Sequence, residues 1–530
     1  MRPPIWQPPI ELSPKESTVV KRIRKAKLFV FLRQIRHELF DSNFQLELAK
    51  IFKDSSVGLC PVPPAQLALF IILQAYTGVS DDEGIEAIEM DRRWQLVLDC
   101  LDCEKAPFSK GTLVKFRALL ISHSFDRGLI EKTVEMAKIC GGYNSTSLKI
   151  ALDSSPLWGA ARVEDTYNLL GHALRKALSI IAEINQDSLE NIASKFGADV
   201  VAKTSLKAAL DLDWDNPEAR NIALSNILQT LNSVESQINQ TTDLNDSTAQ
   251  QVQSNLAIAR QIETQDVEEA ADGSPKLRQG VTKDRRISIE DKDMRHGRKS
   301  RSQKFDGFKR HVAKDLDLGM VRAVGITSAN APEASVTLDI EQDLKQQQVT
   351  IRELHIDRAY LTSHFVKQRT PDLTIICKPW KVRNGKLFDK NAFVLDWDNS
   401  LILCPNGISL PFHEGGIVHF REDECLACPL RSQSTTSKHG RTISIHPDES
   451  LLVELRQRQT TEVGRAQLRQ RVSVEHTLAH IGHWQGDQAR YLGLRKNLFD
   501  LRRMAVVHNL HVLARISHTT PENSSLIPAA

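Results

Sequence analysis

Cysteine is scarce, with eight in 530 residues, too few for a disulfide scaffold. Long apolar runs are missing too. The most hydrophobic stretch, QLALFIILQAY at 66–76, is far shorter than the ~20 residues of a membrane span. The opening MRPPIWQPPIELSPKES lacks the basic-then-apolar order of a secretory signal. A soluble chain in a reducing, intracellular compartment with no membrane partner is therefore expected. A strong excess of one charge is absent as well: 69 Lys and Arg face 66 Asp and Glu. Any affinity for a polyanion must come from where the cations cluster rather than from their total. What remains is ordinary for a folded protein, 41% hydrophobic and 25% charged.

Along the chain the pattern changes several times. Residues 1–140 read as a helical domain whose first 20 residues are Pro-rich and extended. The segment from Lys21 to about Phe52 places Lys21, Arg22, Arg24, Lys25, Lys27, Arg33 and Arg36 around an apolar stripe, which fits either a phosphate-tracking helix or a solvated face. PVPPAQLALF predicts a Pro-initiated helix, and Ser109 a helix cap. From 147 strand-like runs take over: 147–153, 308–315, 319–327, 351–357 and 372–378, with 328–349 as a crossover helix. Together these predict a mixed α/β sheet with flanking helices over 147–516. A helical insertion with a flexible linker (165–285), its later polar helices reading as a hairpin or coiled coil, and a β-rich insertion (385–450) interrupt it. Past 460 the chain reads as one or two long helices, and 517–530 as a disordered tail.

Two of the apolar strands run into an acid. KIALD ends on Asp153, with Ser154, Ser155 and Pro156 directly after it, and IRELHIDRAY carries Asp357. Each Asp alone fits a residue capping its own turn. Glu475, in RQRVSVEHTL, sits on a helix returning after the last strand. Three carboxylates on one sheet edge would repel one another unless a cation neutralised them, and oxygen ligands suit Mg²⁺ or Mn²⁺. Two such ions serve phosphodiester chemistry. The histidines offer weaker sites: His476 and HNLH at 508–511 lack the spacing of a nucleophilic triad or a zinc hydrolase. Five cysteines (60, 100, 103, 140, 377) read as small buried hydrophobes.

Taken in order, Asp153 with the SSPLWGAARVEDTYNLL that follows it, MRHGRKSRSQKFDGFKRHVA, HIDRAYLTS and LRQRVSVEHTLAHI resemble bacterial insertion-sequence transposases of the Asp-Asp-Glu class. The resemblance implies a ribonuclease-H-like sheet preceded by a helical DNA-binding domain (1–140), with Asp153, Asp357 and Glu475 as catalytic, metal-binding residues. It implies double-stranded DNA as partner (terminal inverted repeats and target), a homodimer in the DNA complex, and a cytoplasmic, nucleoid-associated location. The family signature around the Glu is met by Arg471, one turn before Glu475. Leu468 stands in place of its Tyr and Gly482 in place of its Lys, for which His483 and Arg490 are possible substitutes. At the second Asp, Ala359 replaces the usual Gly, a small change unless that position needs positive φ.

The densest basic run, RHGRKSRSQKFDGFKRH, offers Arg295, Arg298, Lys299, Lys304, Lys309 and Arg310 as phosphate contacts. Cys404, Cys425 and Cys428 are similar to part of a zinc ribbon, one ligand short of a structural tetrahedral site, where relatives often carry a Cys near Ser434; His413, His419 or His439 would complete it, and otherwise all three are free thiols. The function expected is a transposase, its alternative a transposase-derived DNA-binding protein that occupies the element ends without cutting.

Overall fold

The computed structural model describes residues 2–54, 60–141, 146–240, 246–280 and 282–519. At its centre is a six-stranded mixed sheet of β1 (Ser147–Trp158), β2 (Arg295–Arg298), β3 (Lys304–Asp315), β4 (Val321–Ser328), β5 (Thr350–Ile356) and β6 (Thr374–Cys377). β1 lies between antiparallel β3 and parallel β5. β6 continues the parallel side, while β2 and β4 both pair with the outer edge of β3.

Both faces of this sheet are covered, and the period of two along β1 sorts its residues between them. Leu148, Ile150 and Leu152 enter a core completed by Ile340 and Leu344 of the crossover helix Thr337–Gln346. Ala151 and Leu157 face a second core, shared with the amino-terminal helices and the C-terminal helix Leu494–Thr519. That second core joins Phe70 and Leu73 of helix Pro64–Thr77 to Met504, Val507 and Leu510 of the last helix. The helical region therefore packs directly on the sheet's helix-covered side. Pro64 opens its helix as the sequence predicts, and the Ser109 hydroxyl accepts from the Thr112 N–H.

Five expectations need correction. β1 does not stop at Asp153: it runs on to Trp158 because β3 pairs with it as far as Gly307. The parallel partner ends earlier, at Leu152 opposite Ile356, so Pro156 lies where one side of β1 is open and its missing N–H is tolerated. Arg33 and Arg36 do not face solvent; both are 1% exposed and paired with Glu16 and Asp99. Residues 266–285 are not a free linker, since Val267–Glu269 pairs with Pro275–Leu277 and Arg285 bonds Asp266. The long polar helices of the insertion do not form a simple hairpin: Asp246–Asp266 packs chiefly on Thr166–Ile184 around Leu170, Leu174, Leu256 and Ile262. Cys60 is exposed, whereas Cys377 is buried and Cys100 and Cys103 half-buried.

The β-rich insertion folds as two small sheets around Phe393, Ile402, Phe412, Val418 and Ile443. The last helix continues to Thr519, into the segment read as a tail; residues 520–530 lie outside the described residues. Among those residues no helix is long and apolar enough to cross a membrane.

Candidate active site

Register places the first two acids. The parallel ladder between β1 and β5 closes with Leu152 opposite Ile356, so the next residues, Asp153 and Asp357, leave adjacent strands side by side. Asp153 shares a strand face with Ala151 and Leu157. Asp357 caps the short 3-10 turn Arg358–Tyr360, its carboxylate accepting from the Arg358 N–H at 2.7 Å. Ala359 in that turn is not among the positive-φ residues, so Ala in place of Gly carries no backbone strain.

The third acid arrives on helix Val472–Gln485. Val474, Leu478, Ile481 and Gln485, spaced by three and four, form its buried stripe and dock it on the sheet. Glu475, Ala479 and Gly482 then lie along the neighbouring face, which lines the same cleft as Asp153 and Asp357. Gly486, at φ 81°, ends the helix. Arg471 precedes its first turn, a poor place for a cation by the helix dipole alone. Two carboxylates offset this: Arg471 donates from Nη1 to Asp153 Oδ2 and from Nη2 to Glu475 Oε1, both at 2.7 Å.

The cleft brings these acids together with Arg298, Lys299, Lys309, Arg310 and Arg471. Burial pushes the Asp153 carboxyl above its ordinary range. The Glu475 and Asp357 carboxylates push the same way, against the Arg471 guanidinium and the Ser154 N–H. A site in which two carboxylates crowd a buried third and already hold a guanidinium favours positive charge, and its oxygen donors suit Mg²⁺ or Mn²⁺. The fit is one of charge and donor type. Arg471 stands between Asp153 and Glu475, and among the described residues no three acidic, His or Cys side chains form a ready metal cage.

Not every residue singled out by sequence reaches the cleft. Arg295 donates to the carbonyls of Lys292 and Met294, and Lys304 sits exposed opposite Arg298 on the β2–β3 hairpin. His483 lines a different cavity beside Trp484 and His511, and Arg490 donates to the Gly78 carbonyl. Conversely, Ser155, Glu333 and Asp487 line the cleft unforeseen. Glu333, in the loop after β4, and Asp487, after the helix stop, carry no local signal. Ser155 follows Asp153 closely in the sequence but is hidden by the expectation that the strand ends there.

Cys404, Cys425, Cys428 and Ser434 line a separate small cavity in the β-rich insertion. A structural zinc requires four ligands, and among the described residues the three thiols do not draw together into a group that could hold a metal ion. None of His413, His419 and His439 lines that cavity.

Residues 18–119 match the family described as Transposase domain (DUF772), and residues 403–514 the family described as Transposase DDE domain. No curated protein and no solved structure matched the chain. The first match covers most of the amino-terminal helices; the second runs from Cys404 through Arg471 and Glu475 into the C-terminal helix, leaving Asp153 and Asp357 outside both. With a match to a transposase domain at one end, to a transposase DDE domain at the other and a mixed sheet between them, the chain is similar at both ends to insertion-sequence transposases of the Asp-Asp-Glu class.

Proposed function

We propose that the chain binds the terminal inverted repeats of its element and cuts and joins DNA at the cleft of Asp153, Asp357 and Glu475. The observation carrying this reading is the convergence of three carboxylates, from two adjacent strands and one helix, in a cleft ringed by Arg and Lys. The sheet order, with β1 between an antiparallel hairpin and two parallel strands, supports a ribonuclease-H-like catalytic unit.

Asp153, Asp357 and Glu475 would hold the divalent ions, which when bound stabilise negative charge on the attacking and leaving oxygens. Water attacks the phosphorus and the P–O3′ bond breaks, leaving a 5′-phosphate and a 3′-hydroxyl. That hydroxyl then attacks a target phosphodiester, displacing its 3′-oxygen. The protein's part is to fix the carboxylates and neutralise the strand. Arg298 and Lys299 reach the cleft from the exposed hairpin, where contact to phosphates positions DNA without reading its sequence. Arg471 bonds one oxygen of each of two of the carboxylates in this structure, so a divalent ion would compete with it for them. A homodimer on paired element ends and a nucleoid-associated location belong to the same reading.

Cleavage of a duplex carrying the gene's own flanking repeats, with Mg²⁺ or Mn²⁺, tests it. Nicking at the repeat boundary is expected in the wild type and lost in both Asp153→Ala and Glu475→Gln. Specific binding with no cleavage in either metal would instead favour a DNA-binding protein that occupies the element ends.

A further inference from the structure

Arg310 lies at the floor of the cleft, 4% exposed. β3 sets it opposite Ser155, and three neutral acceptors fix its guanidinium. Nε donates to Ser155 Oγ at 2.7 Å, and Nη1 to Gln485 Oε1 at 2.9 Å and to the Gly486 carbonyl at 3.0 Å. No carboxylate is within hydrogen-bond distance. The nearest ion partner, Asp487, is 4.0 Å away with a 94% exposed side chain, so water screens it. Asp500 makes no direct bond to Arg310: it is linked to it through Gln485, attracts it at longer range and is itself paired with Arg503.

Most other buried guanidinia of the chain are treated differently. Arg33, Arg322 and Arg503 each bond directly to a carboxylate, Glu16, Asp315 and Asp500; among the described buried arginines Arg286 alone resembles Arg310, held by the Ser288 and Ile289 carbonyls, but it does not line the cleft. A buried cation without a counter-ion is costly, and here that charge lines the cavity holding the catalytic acids. Its open side is defined by a glycine. A Cβ on Gly482 would lie 3.1 Å from Nη2, and Nη2 makes no hydrogen bond among the described residues. Two edges of the guanidinium are thus tied to the fold, and the third faces the cleft across the one residue type that leaves it uncovered.

We propose that Arg310 is a preorganised binding group for a DNA backbone phosphate, held by Ser155, Gln485 and Gly486 and kept accessible by Gly482. The inference rests on the reading that this cleft takes DNA. A fixed guanidinium donates to phosphate oxygens with little further loss of side-chain freedom. Its ladder partner, Ser155, lies two residues beyond Asp153, ~7 Å along the strand, so a phosphate seated there is the scissile one or its neighbour. The positive charge lets an anion enter a cleft that the carboxylates alone would close to it. Gly482 and Gln485 are positioning residues.

The test uses the full chain and a labelled duplex bearing the element end, with Ca²⁺ to hold the site without turnover, titrated against NaCl. Wild type is compared with Arg310→Gln, Arg310→Lys and Gly482→Val, and the thermal midpoint of each is recorded. Removing one phosphate contact lowers the slope of log affinity against log salt by about 0.9. Arg310→Gln is expected to show that loss and bind about tenfold more weakly. Gly482→Val is expected to match it, although the three bonds that hold Arg310 remain. Arg310→Lys is expected to regain the slope but not the full affinity, because the rigid fork is gone.

Folded Arg310→Gln and Gly482→Val proteins with wild-type slope and affinity would overturn the proposal and leave the transposase reading standing. If Arg310→Gln does not fold, Gly482→Val decides alone. A wild type that binds no DNA at any salt would overturn both.

Discussion

Asp126 is a buried carboxylate, 2% exposed, in the turn Phe125–Arg127, and it ties the amino-terminal helices to the C-terminal helix. It accepts from Arg495 Nη1 and Nη2 at 2.9 and 2.6 Å, and from Arg502 Nη1 at 3.1 Å. Asp126→Asn removes the charge at nearly constant volume. Arg495 is 35% exposed, so its share is discounted for solvent to about 0.5–1 kcal/mol. Arg502 is 8% exposed, and a buried bond to a charged group contributes about 1.5–3 kcal/mol. Arg502 keeps Asp343 as a partner at 3.1 Å, so the cost stays at or below the bottom of the ~3–5 kcal/mol of a fully orphaned buried charge. The expected loss is about 3 kcal/mol, or ~6–12 °C for a cooperative unit of 150–250 residues.

Differential scanning calorimetry measures it. The helical insertion, built around its own core of Leu170, Leu174, Leu256 and Ile262, serves as an internal reference. Its transition is expected to stay in place while that of the sheet moves down. A sheet transition lowered by less than about 2 °C would refute the idea that this ion cluster clamps the two regions together.

Acid sensitivity follows from buried neutral histidines. Burial pushes His311 down to about 3 and His508 to about 4, whereas in the unfolded chain each titrates near 6.5. The unfolded state therefore binds more protons below that value. Stability is full above pH 6.5 and falls as pH drops towards 4, by up to about 1.4 kcal/mol per pH unit for each histidine. Thermal midpoints between pH 7.5 and 4.5 check this, and a flat profile would contradict it. His311 Nδ1 bonds the buried Tyr360 hydroxyl at 2.8 Å. Tyr360→Phe strips that partner and is expected to cost about 1–3 kcal/mol, read as a lower urea midpoint; an unchanged midpoint would show the bond to be dispensable.

The acids were legible because an apolar strand running into Asp is a local pattern, seen at both Asp153 and Asp357. The sheet itself was legible from the same short apolar runs. The continuation of β1 to Trp158 was not, because it depends on pairing with Phe308 and Gly307, 150 residues away. The basic run misled for a related reason. Position along the hairpin divides it: Lys304, opposite Arg298 at the far end, stays in solvent, whereas Arg310, opposite Ser155, lies in the floor of the cleft, and how far β1 pairs along this strand is not written locally. Arg33 and Arg36 show the same limit on a helix. Their counter-ions Glu16 and Asp99 come from other elements, so a stripe of cations looked solvated until the fold supplied them.

The shared core also sets an order in time. A ribosome delivers the amino-terminal helices first, yet the apolar surface they turn towards the sheet is completed by Met504, Val507 and Leu510, close to the end of the described chain. Glu475 also emerges late, more than 300 residues after Asp153. A nascent chain thus holds the first acid of the cleft before either the third or the helix that seals the core beneath it has been made, so the cleft is assembled only late in synthesis.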